Sequence, residues 1–459
     1  MCAMNRLEPV EPVTLQQRVH GAARPLTWHL DKLHRVLRVR RGIKNDGMKE
    51  DNLLSLSYGR IIPKDINTSE GLLPENFEGY QIVEPGNIVM RLTDLQNDKR
   101  SLRQGLVKER GIITSAYDAL DVPKGQCPEF WFYSLLALDL AKHYYSLGGG
   151  VRQSVKFTDF PNDWIYRPDL TTQRQIADFL DRETARIDLL IEKKHRMVEL
   201  LVDRRKTLTG HYLSRGTRTE VALTNSGYDW LGGIPSHWRV FPLRELVWYQ
   251  EGPGIMADDF YDDGVPLLRI KGLSGPTATL TGCNYLDPMK VKKRWNHFRV
   301  ELGDLLISAS ATRGGIASEV SEETVGAIPY TGIIRIKPRK RGYTKALIPH
   351  FLLSSLFDTQ IDLLSAGSTI QHFGPSHLGR MKAPLPPLDE QIEIAEKLSS
   401  LLYDNTKLSE QTNASIVRLR EYRSALITAA VTGQIDPTTH VGTGSTDRQL
   451  DALQAEGAI

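Results

Sequence analysis

Gln173-Arg-Gln-Ile-Ala-Asp-Phe-Leu180 recurs 218 residues later as Gln391-Ile-Glu-Ile-Ala-Glu-Lys-Leu398. The glutamine, the alanine and the final leucine of the first segment all have identical partners in the second. Self-similarity at a fixed offset is typical of chains built from repeated structural units. This pair of segments therefore indicates that the chain contains an internal duplication.

Further matches extend the repeat in both directions and keep the same order along the chain. The matching pairs are Gly149 and Gly367, Gln153 and Gln371, Pro168 and Pro386, and, at a slightly different offset, Trp28 and Trp238. We therefore predict two copies of one unit, each a globular part followed by a helical part. Such a chain would have an internal pseudo-twofold relationship.

The helical part of the first copy is predicted to run from Thr171 to Ser214, and that of the second from Asp389 to Thr432. The first stretch contains no proline, and apolar residues follow a heptad pattern in both stretches. Thr171 or Thr172 could cap the first helix, and Gly216 and Gly433 follow the two helices. Each would be a rod of roughly 65 Å, and the two should pair antiparallel. The predicted core of this helix pair is Leu180, Ile187, Ile191, Leu201, Leu208, Leu398, Leu402, Ile416, Leu419 and Leu426.

The globular parts contain short β-branched segments typical of strands, with one helix predicted near 129–144 and another at 350–364. The predicted fold class is α+β: two mixed α/β globular domains joined by two long antiparallel coiled-coil helices. The predicted segments are 1–26 (an unassigned N-terminal extension), 27–168 (domain 1), 169–216 (helix 1), 217–236 (linker), 237–386 (domain 2), 387–433 (helix 2) and 434–459 (a partly disordered tail).

Composition limits the class of protein. The 459 residues carry a net charge of +3, and 40% are hydrophobic, the balance of a globular protein with more than one domain. The longest apolar stretch, from Phe130 to Leu138, is too short to span a bilayer, so no membrane association is expected. Three scattered cysteines favour a reducing compartment, and we expect a cytoplasmic protein.

Motifs that carry catalysis are absent from the sequence. There is no phosphate-binding loop, zinc-protease motif or nucleophile elbow. Asp169 and Glu192 resemble a nuclease motif only superficially, since one helix would hold them roughly 34 Å apart. We therefore predict no catalytic, cofactor-binding or metal-binding residues, and no enzyme activity in this chain.

Basic and polar side chains in the globular parts favour nucleic-acid binding instead. Basic clusters occur in both copies, which indicates paired phosphate-facing surfaces. Arginine, asparagine, glutamine and aspartate between them have the groups that recognise base edges. The residues predicted to contact DNA are Lys44, Asn45, Arg91, Thr93, Asp94, Gln96, Arg152, Gln153 and Ser154 in the first copy, and Arg269, Lys271, Ser308, Ser310, Thr312, Arg313, Gln371 and His372 in the second.

Three segments resemble the specificity subunit of type I restriction–modification systems. They are Trp230-Leu-Gly-Gly-Ile-Pro-Ser-His-Trp238, Pro384-Leu-Pro-Pro-Leu-Asp-Glu-Gln391 and Tyr422-Arg-Ser-Ala-Leu-Ile-Thr-Ala-Ala-Val-Thr-Gly-Gln-Ile-Asp436. The resemblance covers the chain from about Trp28 to Asp436. The first copy departs from this pattern at Thr171-Thr172, where the second has Asp389-Glu390.

The resemblance implies a non-catalytic subunit that recognises a bipartite, asymmetric site in double-stranded DNA and directs adenine methylation and cleavage. Two methyltransferase subunits using S-adenosylmethionine, and motor–nuclease subunits using ATP and Mg²⁺, would be its partners. None of these cofactors is expected in this chain. The alternative is a coiled-coil protein-interaction scaffold without DNA specificity, which explains the helices but not the duplicated basic domains.

Overall fold

The computed structural model describes residues 12–439 except 24, 42, 68–73, 75, 94, 96–101, 148–153, 310–316 and 366–372. The chain forms two compact units. The first contains the residues up to His195 together with those from Ala414 onward, and the second contains Arg196–Asn413. Each unit therefore combines one globular part with a portion of both long helices.

The elements of the first globular part are short and alternate between strand and helix. Its helices are α1 (Leu15–His20), α2 (Leu33–Val36), α3 (Pro128–Leu140) and α4 (His143–Leu147). Its strands are β1 (His29–Lys32), β2 (Arg38–Val39), β3 (Leu54–Ser57), β4 (Arg60–Pro63), β5 (Gln81–Val83), β6 (Ile88–Met90), β7 (Gln104–Leu106), β8 (Gly111–Ile113), β9 (Asp118–Asp121) and β10 (Trp164–Arg167). The first long helix, α5 (Leu170–Arg215), follows β10.

The second globular part follows a short linker hairpin. The strands from the linker onward are β11 (Leu223–Asn225), β12 (Gly233–Pro235), β13 (Arg239–Pro242), β14 (Val247–Glu251), β15 (Val265–Leu268), β16 (Asn284–Leu286), β17 (Leu305–Ser308), β18 (Ala317–Glu319), β19 (Ile328–Pro329), β20 (Ile333–Pro338) and β21 (Lys382–Leu385). The helices are α6 (Leu243–Leu246), α7 (Pro288–Lys290), α8 (Leu347–Leu352), α9 (Ser355–Ser365), α10 (Pro375–Arg380) and the second long helix, α11 (Leu388–Val431).

Strand pairing repeats between the two units. The first has a four-stranded antiparallel sheet in the order β2-β9-β6-β7, and the second has the equivalent order β14-β20-β17-β18. In each unit the first strand after the matched tryptophan pairs antiparallel with the strand that leads into a long helix, as β1 with β10 and β13 with β21. The duplication seen in the sequence is thus a duplication of fold, and the predicted α+β class is confirmed.

The long helices lie within one residue of their predicted bounds at each end. Gly216 and Gly433 follow them with φ of 78° and 72°, a conformation that glycine adopts without steric cost. The predicted threonine cap of α5 is wrong. The carboxylate of Asp169 accepts from the backbone N–H of Thr172 at 3.0 Å, because the helix already begins at Leu170.

Within each unit the two long helices run antiparallel. In the first unit Asp188 pairs with Arg423 at 2.9 Å, and His195 lies 3.2 Å from Arg420. A position later in α5 therefore contacts a position earlier in α11, as in an antiparallel pair. In the second unit the side-chain amide of Asn405 donates to the carbonyl of Leu201 at 3.0 Å.

The residues predicted for the core of the helix pair lie on its inner side. Those that are buried are Leu180, Ile187, Leu201, Leu398, Ile416, Leu419 and Leu426, and those that are half-buried are Ile191, Leu208 and Leu402. The main hydrophobic core of the first unit includes Leu180, Ile187, Leu419 and Leu426, and that of the second includes Leu398, so each globular part packs on its portion of the helices. We call these core residues of the helix pair the seam, and we infer that their burial stabilises each unit.

Each predicted short helix is in fact a pair of helices. The helix expected at 129–144 divides into α3 and α4 because Lys142 adopts a φ of 61°, which ends the helical path. The helix expected at 350–364 divides into α8 and α9, where the hydroxyl of Ser354 accepts from the N–H of Phe357 at 3.3 Å. In both places a polar residue, Lys142 or Ser354, ends the first helix of the pair, although apolar residues on both sides of it favoured one continuous helix.

The N-terminal segment left unassigned by the sequence is part of the first unit from residue 12 onward. The side-chain amide of Gln16 donates to the carbonyl of Tyr166 at 2.9 Å and accepts from its N–H at 3.1 Å. Arg18 pairs with Asp163 at 2.9 Å. Helix α1 is therefore fixed against β10, the strand that precedes α5.

Candidate nucleic-acid interface

Three of the predicted contact residues of the first copy, Arg91, Thr93 and Ser154, lie near the end of strand β6. The N–H of Arg91 donates to the carbonyl of Arg103 at 2.7 Å, and the N–H of Val155 donates to the carbonyl of Leu92 at 2.9 Å. The segments that flank residues 96–101 and 148–153 therefore meet at this point. Arg91 and Thr93 are half-buried here and Ser154 is exposed. Asp94, Gln96, Arg152 and Gln153 lie outside the described residues.

The second copy has the equivalent arrangement at the end of strand β17. The N–H of Ala309 donates to the carbonyl of Gly332 at 2.7 Å, and the N–H of Phe373 donates to the carbonyl of Ala309 at 3.1 Å. The flanks of residues 310–316 and 366–372 thus meet beside Ser308, which is half-buried. Ser310, Thr312, Arg313, Gln371 and His372 lie outside the described residues.

The two meeting points correspond in the sequence repeat. Val155 and Phe373 differ by the same 218 residues as the repeated glutamines, and each bonds to a residue one or two positions beyond the end of the equivalent strand. In each unit the described flanks of two polar segments therefore meet at the end of one strand of the four-stranded sheet. Polar segments positioned by a rigid sheet commonly carry the side chains that bind a ligand.

Two predicted residues of the first copy lie elsewhere, on the segment between β2 and β3. Lys44 is exposed and forms an isolated bridge with Gln81. Asn45 is fully buried; its side-chain amide donates to the carbonyl of Glu50 at 2.8 Å and accepts from the N–H of the same residue at 2.9 Å. Its polar atoms stabilise the loop, and we remove Asn45 from the candidate contacts.

The second copy has two basic clusters, one at residues 290–294 and one at residues 337–341. They differ in how far carboxylates of the protein neutralise their charge. Lys292, Lys293 and Arg294 are exposed beside Trp295. By contrast Lys337 donates to Glu301 at 2.7 Å, and the hydrogen bonds from Lys337 and Arg335 lower the pKa of the Glu301 carboxyl. The cluster that begins at Lys337 is therefore partly a structural ion-pair network, whereas the cluster at 292–294 remains available to phosphate.

Arg269 and Lys271 lie just after strand β15. Lys271 is exposed on a short 3-10 turn at Ile270–Leu273. The guanidinium of Arg269 lies over the ring of Tyr330, 4.0 Å from its centroid, and 5.8 Å from that of Phe260. The sequence did not single out these two aromatic residues, because they are separated by 70 positions and only strand pairing brings them together.

The glutamines that mark the repeat are structural. Gln173 and Gln391 are both buried, and each bonds through its side chain to the backbone where its globular part meets a long helix. Buried His350 contacts the same helix, its Nε2 lying 3.3 Å from Ser399 Oγ, and burial lowers its pKa to about 4.

Within the described part of the chain, no group of three or more histidine, cysteine, aspartate or glutamate side chains is arranged to hold a metal ion. None of the described helices is both long and apolar enough to cross a membrane.

Comparison with solved structures shows that this fold is shared with a known chain. A chain from a solved structure of "the type I R-M system" superposes with a TM-score of 0.64, covering 90% of this chain and 100% of that chain at 16% identity. The family described as "Type I restriction modification DNA specificity domain" matches residues 235–418.

Relatives by sequence carry the same designation. The type I restriction enzyme MjaVIII specificity subunit of Methanocaldococcus jannaschii is 23% identical over 434 residues, covering 91% of this chain and 95% of that protein. The EcoKI specificity subunit of Escherichia coli is 28% identical over 217 residues, covering 44% of each chain. This chain is thus similar to the specificity subunits of type I restriction–modification systems, in agreement with the resemblance seen in its sequence.

Proposed function

We propose that this chain recognises a bipartite, asymmetric site in double-stranded DNA and itself catalyses no reaction. The observation that carries the proposal is that, in both units, the described flanks of two polar segments meet at the end of the equivalent strand. These segments contain most of the polar residues predicted to contact DNA, and their sequences differ between the copies. Two different recognition surfaces on one chain favour two different half-sites.

The proposal includes partners that perform the chemistry. Two methyltransferase subunits using S-adenosylmethionine would methylate adenine, and motor–nuclease subunits using ATP and Mg²⁺ would cleave DNA. Support for a docking surface comes from the helix pair of the second unit. Leu200 on α5 is 51% exposed and Tyr403 on α11 is 68% exposed, so the helix pair offers apolar side chains to a partner.

Methylation mapping tests the proposal directly. The full chain is co-expressed with the proposed methyltransferase subunit, and genomic adenine methylation is mapped. A split, asymmetric motif with a gap of fixed length is expected. DNA affinity should also fall steeply with salt, because phosphate contacts release counterions.

The scaffold alternative predicts the opposite outcome. A coiled-coil adaptor would form protein complexes, yet would show neither a methylation motif nor salt-sensitive binding to DNA. Those two results together would refute the recognition function. A complex that binds DNA in a salt-sensitive way without methylating it would retain recognition and place the defect in the partner.

A further inference from the structure

The guanidinium of Arg269 is held in place by two aromatic rings. Arg269 follows β15 and Tyr330 follows β19, and these strands pair in parallel, with the N–H of Tyr330 donating to the carbonyl of Leu268 at 3.1 Å. The ring of Phe260 packs against that of Tyr330 edge to face, with centroids 6.4 Å apart and planes at 67°. Arg269 stacks on this aromatic pair, which leaves the edge of its planar fork as the part that can bind a ligand.

Unlike two other cations of the same unit, Arg269 pairs with no carboxylate of the described residues. In the same unit Lys290 bonds to Asp259 at 2.8 Å and Lys345 bonds to Glu319 at 2.7 Å. Among the described residues the guanidinium of Arg269 forms neither a hydrogen bond nor an ion pair, and its Nη1 is buried. The enclosed Nη1 is out of reach of a ligand, so the edge formed by Nε and Nη2 is the one that can donate to an acceptor of a ligand.

The location connects Arg269 to the candidate interface of the second unit. Tyr330 begins the turn in which the N–H of Ile333 donates to the carbonyl of Tyr330 at 3.0 Å. The carbonyl of Gly332 in that turn accepts from Ala309, where the flanks of 310–316 and 366–372 meet. The stacked guanidinium therefore lies at the end of the unit where the predicted contact segments emerge.

We propose that Arg269 recognises a guanine in the major groove of the half-site bound by the second copy; this rests on the proposed function. Guanine presents O6 and N7 as two coplanar acceptors, which match the arginine fork, and this geometry discriminates against other bases. Stacking on the aromatic pair fixes the fork before binding and so reduces the entropy lost in the complex. A phosphate contact needs only a point charge, which Lys271 already offers nearby.

The test uses the full chain assembled with its methyltransferase subunits and a pool of random-sequence duplex DNA. The selected sequences are compared for wild type, Arg269→Lys and Tyr330→Leu. Arg269→Lys keeps the charge but removes the fork, and we expect preference for guanine at one position to fall by about 10- to 100-fold. The other half-site should be unchanged. Tyr330→Leu leaves Arg269 intact without its ring and should weaken the same position to a smaller extent.

Lys271→Ala is the matched control, since it removes an exposed cation two residues away. It should lower affinity equally for all sequences and leave the selected motif intact. Complex formation and thermal midpoint are measured for every variant, and Tyr330→Phe keeps the ring where Tyr330→Leu disturbs folding.

Three outcomes separate the hypotheses. Wild-type base preferences retained by Arg269→Lys would overturn the assignment, and so would a loss shared equally by all sequences, which would make Arg269 a phosphate contact. If the wild type itself selects no split motif, the proposed function fails before Arg269 is tested.

Discussion

Gln173 and Gln391 occupy matching positions in the two copies, and their side chains make matching bonds. The Oε1 of Gln173 accepts from the N–H of Cys127 at 2.9 Å, and that of Gln391 accepts from the N–H of Thr344 at 2.8 Å. Each side chain also donates to the carbonyl of the proline five residues earlier. One residue type thus joins a globular part to the start of a long helix in both units.

We predict that Gln391→Leu destabilises the second unit. The substitution preserves volume but leaves the N–H of Thr344 and the carbonyl of Pro386 unpaired in a buried place, at about 1–3 kcal/mol for each group. The free energy of unfolding, measured in urea, should fall accordingly. Gln411→Leu, at an exposed position on the same helix, is the control and should change it little. Equal stability of the two variants would contradict this role.

His350 should make stability depend on pH. Its pKa is lowered from 6.5 to about 4 by burial, so the folded state stays neutral while the unfolded chain takes up a proton. Stability contributed by the neutral ring is complete above pH 6.5 and is lost as pH falls toward 4, by up to about 3 kcal/mol. His350→Gln removes the titrating group and should flatten this dependence between pH 7 and pH 5. Parallel pH profiles for wild type and variant would rule out this contribution.

Among the structural elements, the two long helices and the duplication of the fold could be predicted from the sequence, whereas local interruptions of the short helices could not. The heptad placed α5 and α11 within one residue because it extends over more than 40 positions. The break at Lys142 has no signal in the sequence, since lysine rarely adopts a positive φ and only the surrounding packing imposes it.

For the candidate interface, the sequence predicted the types of residue involved, but it predicted only part of their locations in the fold. Loops rich in polar and basic residues were recognised in both copies, and the structure brings their flanks together. The burial of Asn45 and the stacking of Arg269 on Tyr330 depend on strand pairing between distant segments. Residue types therefore indicated the chemistry, and the sheet decides which side chains can perform it.

The exposed apolar residues of the helix pair lead to a prediction about assembly. Within the second unit Leu201 and Asn405 are bonded across the pair, and Leu200 and Tyr403 are within two positions of that contact. Tyr403→Asp should weaken binding of the methyltransferase subunit, measured by co-purification or calorimetry, without lowering the thermal midpoint of this chain. Asp404→Ala is the control, because it changes an exposed neighbour without affecting apolar area. Undiminished binding by Tyr403→Asp would place the docking surface elsewhere.

At the scale of the whole molecule, the continuity of the two long helices is the feature with the largest proposed consequence. Both α5 and α11 pass from one compact unit into the other without an interruption in their helical bounds. If each unit recognises one half-site, the helices are the covalent connection that sets the length of the unread gap between them. Changing helix length should then change that gap while leaving both half-sites as they are.

We predict that inserting four residues into each long helix, after His195 and after Asn413, lengthens the gap by one or two base pairs. Four residues add about 6 Å of helix, against roughly 3.4 Å per base pair of B-DNA. Four residues are close to one helical turn, so the seam residues beyond the insertion still point toward the other long helix. Methylation mapping of the modified complex measures the gap directly. An insertion in α5 alone is the control: it mismatches the antiparallel pair and should lower stability instead of giving a clean new spacing. An unchanged gap in the double insertion, with both half-sites retained, would show that the helices do not set the spacing.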